Sequence, residues 1–287
     1  MKNRVAVVTD TTACIPQDMA SEHGIELVPI ELRFGDRVYR DGIDITPAEF
    51  YTRLRQTDNL PMTSGSAPLP YLEAYSQASR RADGIICITE SSKFSGMFNS
   101  ARLAMEMAKE ELPGLNIELV DCTTAAAGQG LVALAAAREA DLGKSLAEVV
   151  AFIRQLMHRV YLFASLDSLK YLVKGGRVPQ AAALVNSILN IKPVFSVNGG
   201  EAHTLALPRS TDSAIKRILK LMKARIGKEQ SVHVAIMHAD VVEQAESLSE
   251  QVAARFNCAE IFITEFTPVM GVHTGPGVIG VAFYCEG

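Results

Sequence analysis

Ile85-Ile-Cys-Ile-Thr89 runs directly into Glu90-Ser-Ser-Lys-Phe-Ser-Gly-Met-Phe-Asn-Ser-Ala101. The first stretch is apolar and β-branched and reads as a buried strand. The second is a hydroxyl-rich loop followed by a helix from about residue 97. A helix that starts at the carboxyl end of a strand leaves backbone N–H groups unpaired and points the positive end of its dipole at whatever lies there. With serine hydroxyls beside them, these groups suit an anion. Nothing in the segment points to bond-breaking chemistry.

The same strand-to-helix alternation extends in both directions. Upstream, Arg4 to Thr9 reads as a buried strand ending in Asp10-Thr-Thr, and Pro16 opens a helix where its missing N–H costs nothing. Glu26 to Phe34 alternates and predicts one strand. Thr46, Pro47 and Glu49 form a helix start with a capping box. Downstream, Phe98, Ala101, Met105, Ala108 and Leu112 share one helical face, Ile117 to Asp121 is a strand, and Leu146, Val149, Val150, Ile153 and Met157 mark the next helix. Ser145 caps that helix, with Glu148 at the box position.

The pattern restarts with a strand at Tyr161 to Leu166, a very apolar helix at Val178 to Leu189, a strand at Lys192 to Val197 and a hairpin signal at Asn198-Gly-Gly. Helix 211 to 226 follows. Val232 to His238, helix 240 to 256 with Asp240 as cap, and Glu260 to Phe266 make a βαβ unit, and Val278 to Tyr284 is the last strand. This alternation predicts an α/β protein with parallel or mixed sheets flanked by helices. It divides into an N-terminal α/β domain, 1–157, and a C-terminal one, 158–287, with the segment near 61–82 packing against the second.

Composition narrows the function. The chain has 287 residues, 48% of them hydrophobic, and a net charge of −4. There is ample material for a core and no basic field for nucleic acid. Cys14, Cys87, Cys122, Cys258 and Cys285 form no C-x-x-C pair and predict free thiols rather than a disulfide or metal set. No apolar run reaches membrane-spanning length, and the expectation is a cytoplasmic protein without stable membrane insertion.

Several motifs fail on context. Gly275-Pro-Gly-Val-Ile-Gly280 precedes a strand, where a dinucleotide fingerprint needs a following helix, and Gly128-Gln-Gly-Leu-Val-Ala133 lacks the tight turn. Gly143-Lys-Ser145 lacks the first glycine of a phosphate loop. There is no G-x-S-x-G elbow. His233 and His238 fall on opposite faces of one strand and cannot share a metal.

Four polar segments remain: Thr63-Ser-Gly-Ser-Ala-Pro68, Ser91-Ser-Lys-Phe-Ser95-Gly96, Lys174-Gly-Gly-Arg177 and Gly271-Val-His273-Thr-Gly-Pro-Gly277. The last implies a tightly specified backbone close to a ligand or to another chain. Together with Leu189-Asn-Ile-Lys-Pro193, in this order, they resemble the DegV family, of the FakB fatty-acid-binding type.

That resemblance covers essentially the whole chain and implies two α/β domains with a fatty acid between them. It implies that a long-chain fatty acid is the bound ligand, with no cofactor and no catalysis by the chain itself. A separate ATP-dependent fatty acid kinase would phosphorylate the carboxylate, and an acyltransferase would pass the acyl phosphate to phospholipid synthesis. It further implies that Thr63 and Ser95 grip the carboxylate with Ser64, Gly96 and Thr274 beside them, that Arg177 and His273 support them, and that Arg209 serves work with the kinase.

The residues themselves leave other readings open. A hydrolase or transferase would use Ser95 as nucleophile and His273 as base, and a small-anion sensor would use the same loops around a short polar pocket. Candidates for an apolar wall are Ala181 to Leu189, Phe94, Met97, Phe98, Phe266 and Met270.

Overall fold

The computed structural model describes residues 5–57, 59–63, 67–176, 191–227 and 230–286. In the first part of the chain, β1 (Val5–Asp10) leads through a 3-10 turn (Thr11–Ala13) to α1 (Gln17–Glu22). There follow β2 (Glu26–Val28), β3 (Glu31–Phe34), β4 (Arg37–Arg40), α2 (Pro47–Arg55), β5 (Met62–Thr63), α3 (Leu69–Ser79), β6 (Gly84–Thr89), α4 (Met97–Glu111), β7 (Asn116–Asp121), α5 (Ala127–Asp141) and α6 (Leu146–Met157). The rest comprises β8 (Tyr161–Ser165), α7 (Lys170–Gly175), β9 (Val194–Asn198), β10 (Glu201–Ala206), α8 (Thr211–Lys223), β11 (Val232–His238), α9 (Val242–Ala253), β12 (Cys258–Glu265), α10 (Pro268–Thr274) and β13 (Ile279–Cys285). The apolar helix predicted at Val178 to Leu189 lies outside the described residues.

The strands form a four-stranded sheet in the order β2-β1-β6-β7, a six-stranded sheet in the order β10-β9-β8-β13-β11-β12, and a three-stranded sheet in the order β4-β3-β5. The first is parallel throughout. Its order reverses between β1 and β6, and in such sheets ligands sit beyond the carboxyl ends of the strands at the reversal. The second is mixed, with β13 antiparallel to both β8 and β11.

Three expectations need correction. The single strand predicted from Glu26 to Phe34 is two, β2 and β3, which pair in different sheets. They part at Pro29, which has no N–H for a ladder. Asp240 does not cap a helix: it has a left-handed backbone (φ +59°), forms an ion pair with Arg55, and the helix starts after Val241.

The third correction is α5, a helix absent from the expected element list. Its residues from Ala127 to Ala137 are all buried. It packs against β1 and β6 of the first sheet and against β11 and β13 of the second. A helix buried on every side shows no amphipathic period, and such helices are core helices. Its small residues permit the fit: a Cβ on Gly130 would stand 2.6 Å from the carbonyl oxygen of Ala13. One apolar cluster consequently runs from Val7 and Ile86 through Leu131 and Leu134 to Leu162 and Ala282.

Within the segment near 61–82, α3 lies on β1, β2 and β6 of the first sheet, while Thr63 reaches residues of the second half. All five cysteines are free. Burial pushes the thiols of Cys14, Cys87 and Cys122 up to about 12, which leaves them protonated and unreactive near neutrality.

Candidate functional site

A cavity of about 1120 Å³, its open mouth included, lies between the two large sheets. From the first half it is lined by the segments that follow β1 and β6: Thr12, Glu90, Phe94, Ser95, Gly96 and Met97, with Thr63 from β5 and Ala125 and Ala126 just before α5. This is the order reversal of the parallel sheet.

The second half supplies most of the apolar wall, and strand periodicity explains how. Leu162, Ala164 and Leu166 lie two residues apart and share the cavity face of β8, whereas Phe163 between them turns into a separate core. Phe195 pairs with Ala164, and Val197 pairs with Ala202, so β8, β9 and β10 present one continuous surface. Phe266, Val269 and Met270 close the wall beside α10.

The polar groups gather on α10 and the loops facing it. His273 Nε2 lies 3.2 Å from Thr63 Oγ1. The ring also rests against the end of α7, where a Cβ on Gly175 would come within 2.8 Å of Nδ1. Thr63 is carried by the small sheet, paired with Leu32. α10 is held against α2, since a Cβ on Gly271 would stand 2.5 Å from the Phe50 ring. The glycines around His273 therefore let four elements of the same chain crowd together, where the sequence pointed to a ligand or another chain, and His273 itself lies on a helix.

Ser95 Oγ accepts the N–H of Met97 at 3.3 Å, so its own hydrogen can point into the cavity. Thr274 donates its hydroxyl to Met270 O at 3.0 Å and so spends its donor on the helix. His273 Nε2 bonds Thr63 rather than Ser95, and no nucleophile–base pair is formed among the described hydrogen bonds.

Behind the cavity is a buried polar network. Asp10 accepts from Thr12 N at 3.1 Å, from the Thr12 hydroxyl and from Tyr71 Oη at 3.0 Å. Gln129 of α5 binds Thr12 and Thr9. Burial raises the Asp10 carboxyl above its usual range, against the lowering effect of these bonds. Asp41, also buried, accepts from Val269 N at the start of α10 at 3.4 Å. Burial pushes its carboxyl up to about 7. These groups join the ends of β1 and α10 and fix the cavity rim.

The structure thus brings Thr63, Ser95, Gly96, His273 and Thr274 to one cavity. Ser64 and Arg177, and the expected wall from Ala181 to Leu189, lie outside the described residues. Arg209 is exposed, between β10 and α8, and does not line the cavity. Phe94, Met97, Phe266 and Met270 line it, and Phe98 does not. Sequence reasoning passed over Thr12 and Glu90. Glu90 was detectable, because period-two alternation from Ile86 and Ile88 carries it onto the face those residues bury.

A family model described as "Uncharacterised protein, DegV family" matches residues 4–286. The chain belongs to the DegV family. A DegV domain-containing protein of Clostridium perfringens is 31% identical over 98% of this chain and 97% of its own. Protein DegV of Bacillus subtilis is 30% identical over 97% of this chain and 98% of its own. Among solved structures, a DegV family protein from Thermus thermophilus described as binding fatty acid superposes with a TM-score of 0.90 at 30% identity, covering 99% of this chain and 100% of that one. Bacillus subtilis DegV, described as a fatty acid binding protein, does so with a TM-score of 0.89 at 28% identity, covering 99% and 100%. The fold of this DegV family member, with its paired α/β halves, is that of these structures.

Proposed function

We propose that the chain binds a long-chain fatty acid in the cavity between the sheets and presents its carboxylate, in the cytoplasm, to a separate ATP-dependent fatty acid kinase. The observation that carries this reading is an apolar cavity walled by both sheets with hydroxyls and an imidazole gathered at one place. The fatty acid described for relatives at 28% and 30% identity supports it.

The chemistry follows from the side chains. Ser95 donates its hydroxyl hydrogen to one carboxylate oxygen. With Nε2 protonated, His273 donates to Thr63, and Thr63 donates to the carboxylate in turn. Hydrogen bonds to a charged group contribute about 1.5–3 kcal/mol each. Each buried methylene adds about 0.8 kcal/mol, so a dozen give on the order of 10 kcal/mol before ordering costs. The tail sets affinity and the head group sets orientation. Phosphorylation by the kinase yields an acyl phosphate for an acyltransferase of phospholipid synthesis, and Arg209, outside the cavity, serves the encounter with the kinase. The chain breaks no bond itself.

Denaturing mass spectrometry of the purified protein is the test. A released long-chain fatty acid is expected. Protein that carries none and takes none up from solution would refute the reading.

A further inference from the structure

The hydrogen bond between Thr63 and His273 joins two separately built elements, the small sheet and α10. Such a bond is only as well placed as the elements that carry its ends. One buried side chain touches both. Asp41 follows directly on β4 and is 1% exposed. Its N–H donates to Ile30 O at 2.9 Å, just before β3, and its backbone bridges to Ile45. Asp41 is therefore fixed to the sheet that presents Thr63, in which β3 pairs with both β4 and β5.

The other end of the link is the first turn of α10. The opening N–H groups of a helix have no partner within it, and the residue before the helix commonly supplies one from its side chain. Thr267, which holds that position, makes no such bond, and its hydroxyl donates to Thr11 O at 3.2 Å. Pro268 has no N–H. Val269 then carries the first helical N–H, and the Asp41 carboxyl accepts it at 3.4 Å. A protonated carboxyl still accepts through its carbonyl oxygen, so the contact does not depend on the state of the acid. Val269 and His273 stand about one turn apart on α10, and both line the cavity. Asp41 does not line it.

We infer that Asp41 is a positioning residue for head-group recognition: by tying the start of α10 to the small sheet, it sets His273 against Thr63 and so aims the Thr63 hydroxyl at the ligand carboxylate. This rests on the fatty-acid reading above and adds to it a residue outside the cavity. The tail lies against other side chains, from β8, β9 and β10. Loss of the link therefore weakens recognition of the carboxylate and spares the affinity that the methylenes provide.

The experiment compares palmitate with hexadecanol, which has the same number of carbons and no carboxylate, by calorimetry on delipidated wild type, Asp41→Asn, Asp41→Ala and Asp41→Leu. In the alanine and leucine variants, which lack an acceptor, palmitate affinity should fall about tenfold and hexadecanol affinity less than about twofold, because hydrogen bonds to a charged group are roughly twice as strong as neutral ones. Asp41→Asn keeps an acceptor for Val269 N–H and should keep the wild-type ratio of the two affinities. Equal losses for both ligands in the acceptor-free variants would mean that Asp41 serves the fold alone. That result, an unchanged ratio, or a ratio in Asp41→Asn as low as in Asp41→Leu overturns the inference and leaves fatty-acid binding intact. Should neither acceptor-free variant fold, the Val269 amide of the wild type decides. It should exchange with deuterium as slowly without palmitate as with it, and fast exchange in the ligand-free protein overturns the inference. If palmitate does not bind the wild type, the fatty-acid reading falls and the inference falls with it.

Discussion

Thr63 and Ser95 reach the same cavity by different routes, and each keeps a different hydrogen for the ligand. Ser95→Ala removes a donor and also the acceptor for Met97 N–H; Thr63→Ala breaks the link from His273. Each is expected to weaken fatty-acid binding about tenfold or more, from the 1.5–3 kcal/mol of a charged hydrogen bond. The melting temperature should change little, because both side chains are only half-buried. Arg209→Ala should leave lipid affinity unchanged and slow phosphorylation by the kinase; titration with a fluorescent fatty acid and a coupled kinase assay separate the two. Loss of lipid binding in Arg209→Ala would contradict that division.

Asp41 belongs to the same scale. Its carboxyl, raised to about 7 by burial, holds its proton more tightly in the folded state than in the unfolded one. The stability tied to that proton is complete below the usual carboxylate range near pH 4 and is lost as pH rises towards 7. Asp41→Asn keeps an acceptor for Val269 N–H and does not titrate. Between pH 4 and pH 7 the unfolding free energy of the variant should improve relative to wild type by a few kcal/mol, on the order of the shift itself. Urea melts at both pH values would show it, and a constant difference would place the titration of Asp41 elsewhere. Thr63, Ser95 and His273 were legible in the sequence because hydroxyls and glycines cluster around them. Glu90 was legible only through the face of the preceding strand, because a charged residue beside two serines otherwise reads as part of a solvated loop.

At the scale of elements, what was legible was whatever carried a local signal. The capping boxes at Thr46 and Ser145 are both formed, since their hydrogen bonds involve only neighbours. α5 carried no such signal, and its tolerance to change follows from its neighbours. A Cβ on Gly130 meets the backbone oxygen of Ala13, which cannot swing aside, whereas one on Gly128 meets the Thr124 hydroxyl at 2.6 Å, which can turn. Gly130→Ala is expected to destabilise by about 1–3 kcal/mol through overpacking. Gly128→Ala should cost less, offset by the roughly 1 kcal/mol that alanine gains over glycine in a helix. Chemical denaturation of the two variants would rank them, and the reverse order would mean that the Ala13 loop yields more readily than the Thr124 side chain.

At the scale of the whole molecule the two large sheets are joined by more than the cavity. The turn between β9 and β10 leans on the first half, where Gly200 N–H donates to Thr123 O at 2.8 Å and Lys93 pairs with Glu201. Tyr51 and Thr267 bind across as well, to Phe266 O and Thr11 O. The alternation of strands and helices disclosed the two α/β halves, because each follows from local pattern. It did not disclose how they dock, which depends on contacts between residues more than a hundred positions apart, such as Tyr51 with Phe266. With one apolar cluster shared between them, the halves are expected to unfold together. Scanning calorimetry should show a single transition whose calorimetric and van't Hoff enthalpies agree; two resolved peaks would show that the shared helix does not couple them.

The doubly buried α5 also bears on dissection. Expressed alone, a fragment of residues 1–157 would carry that helix with one flank turned to water, the greasy side on which β11 and β13 now lie. Such a fragment would clump or be degraded rather than persist as a module, so partners and drugs alike must address the intact chain.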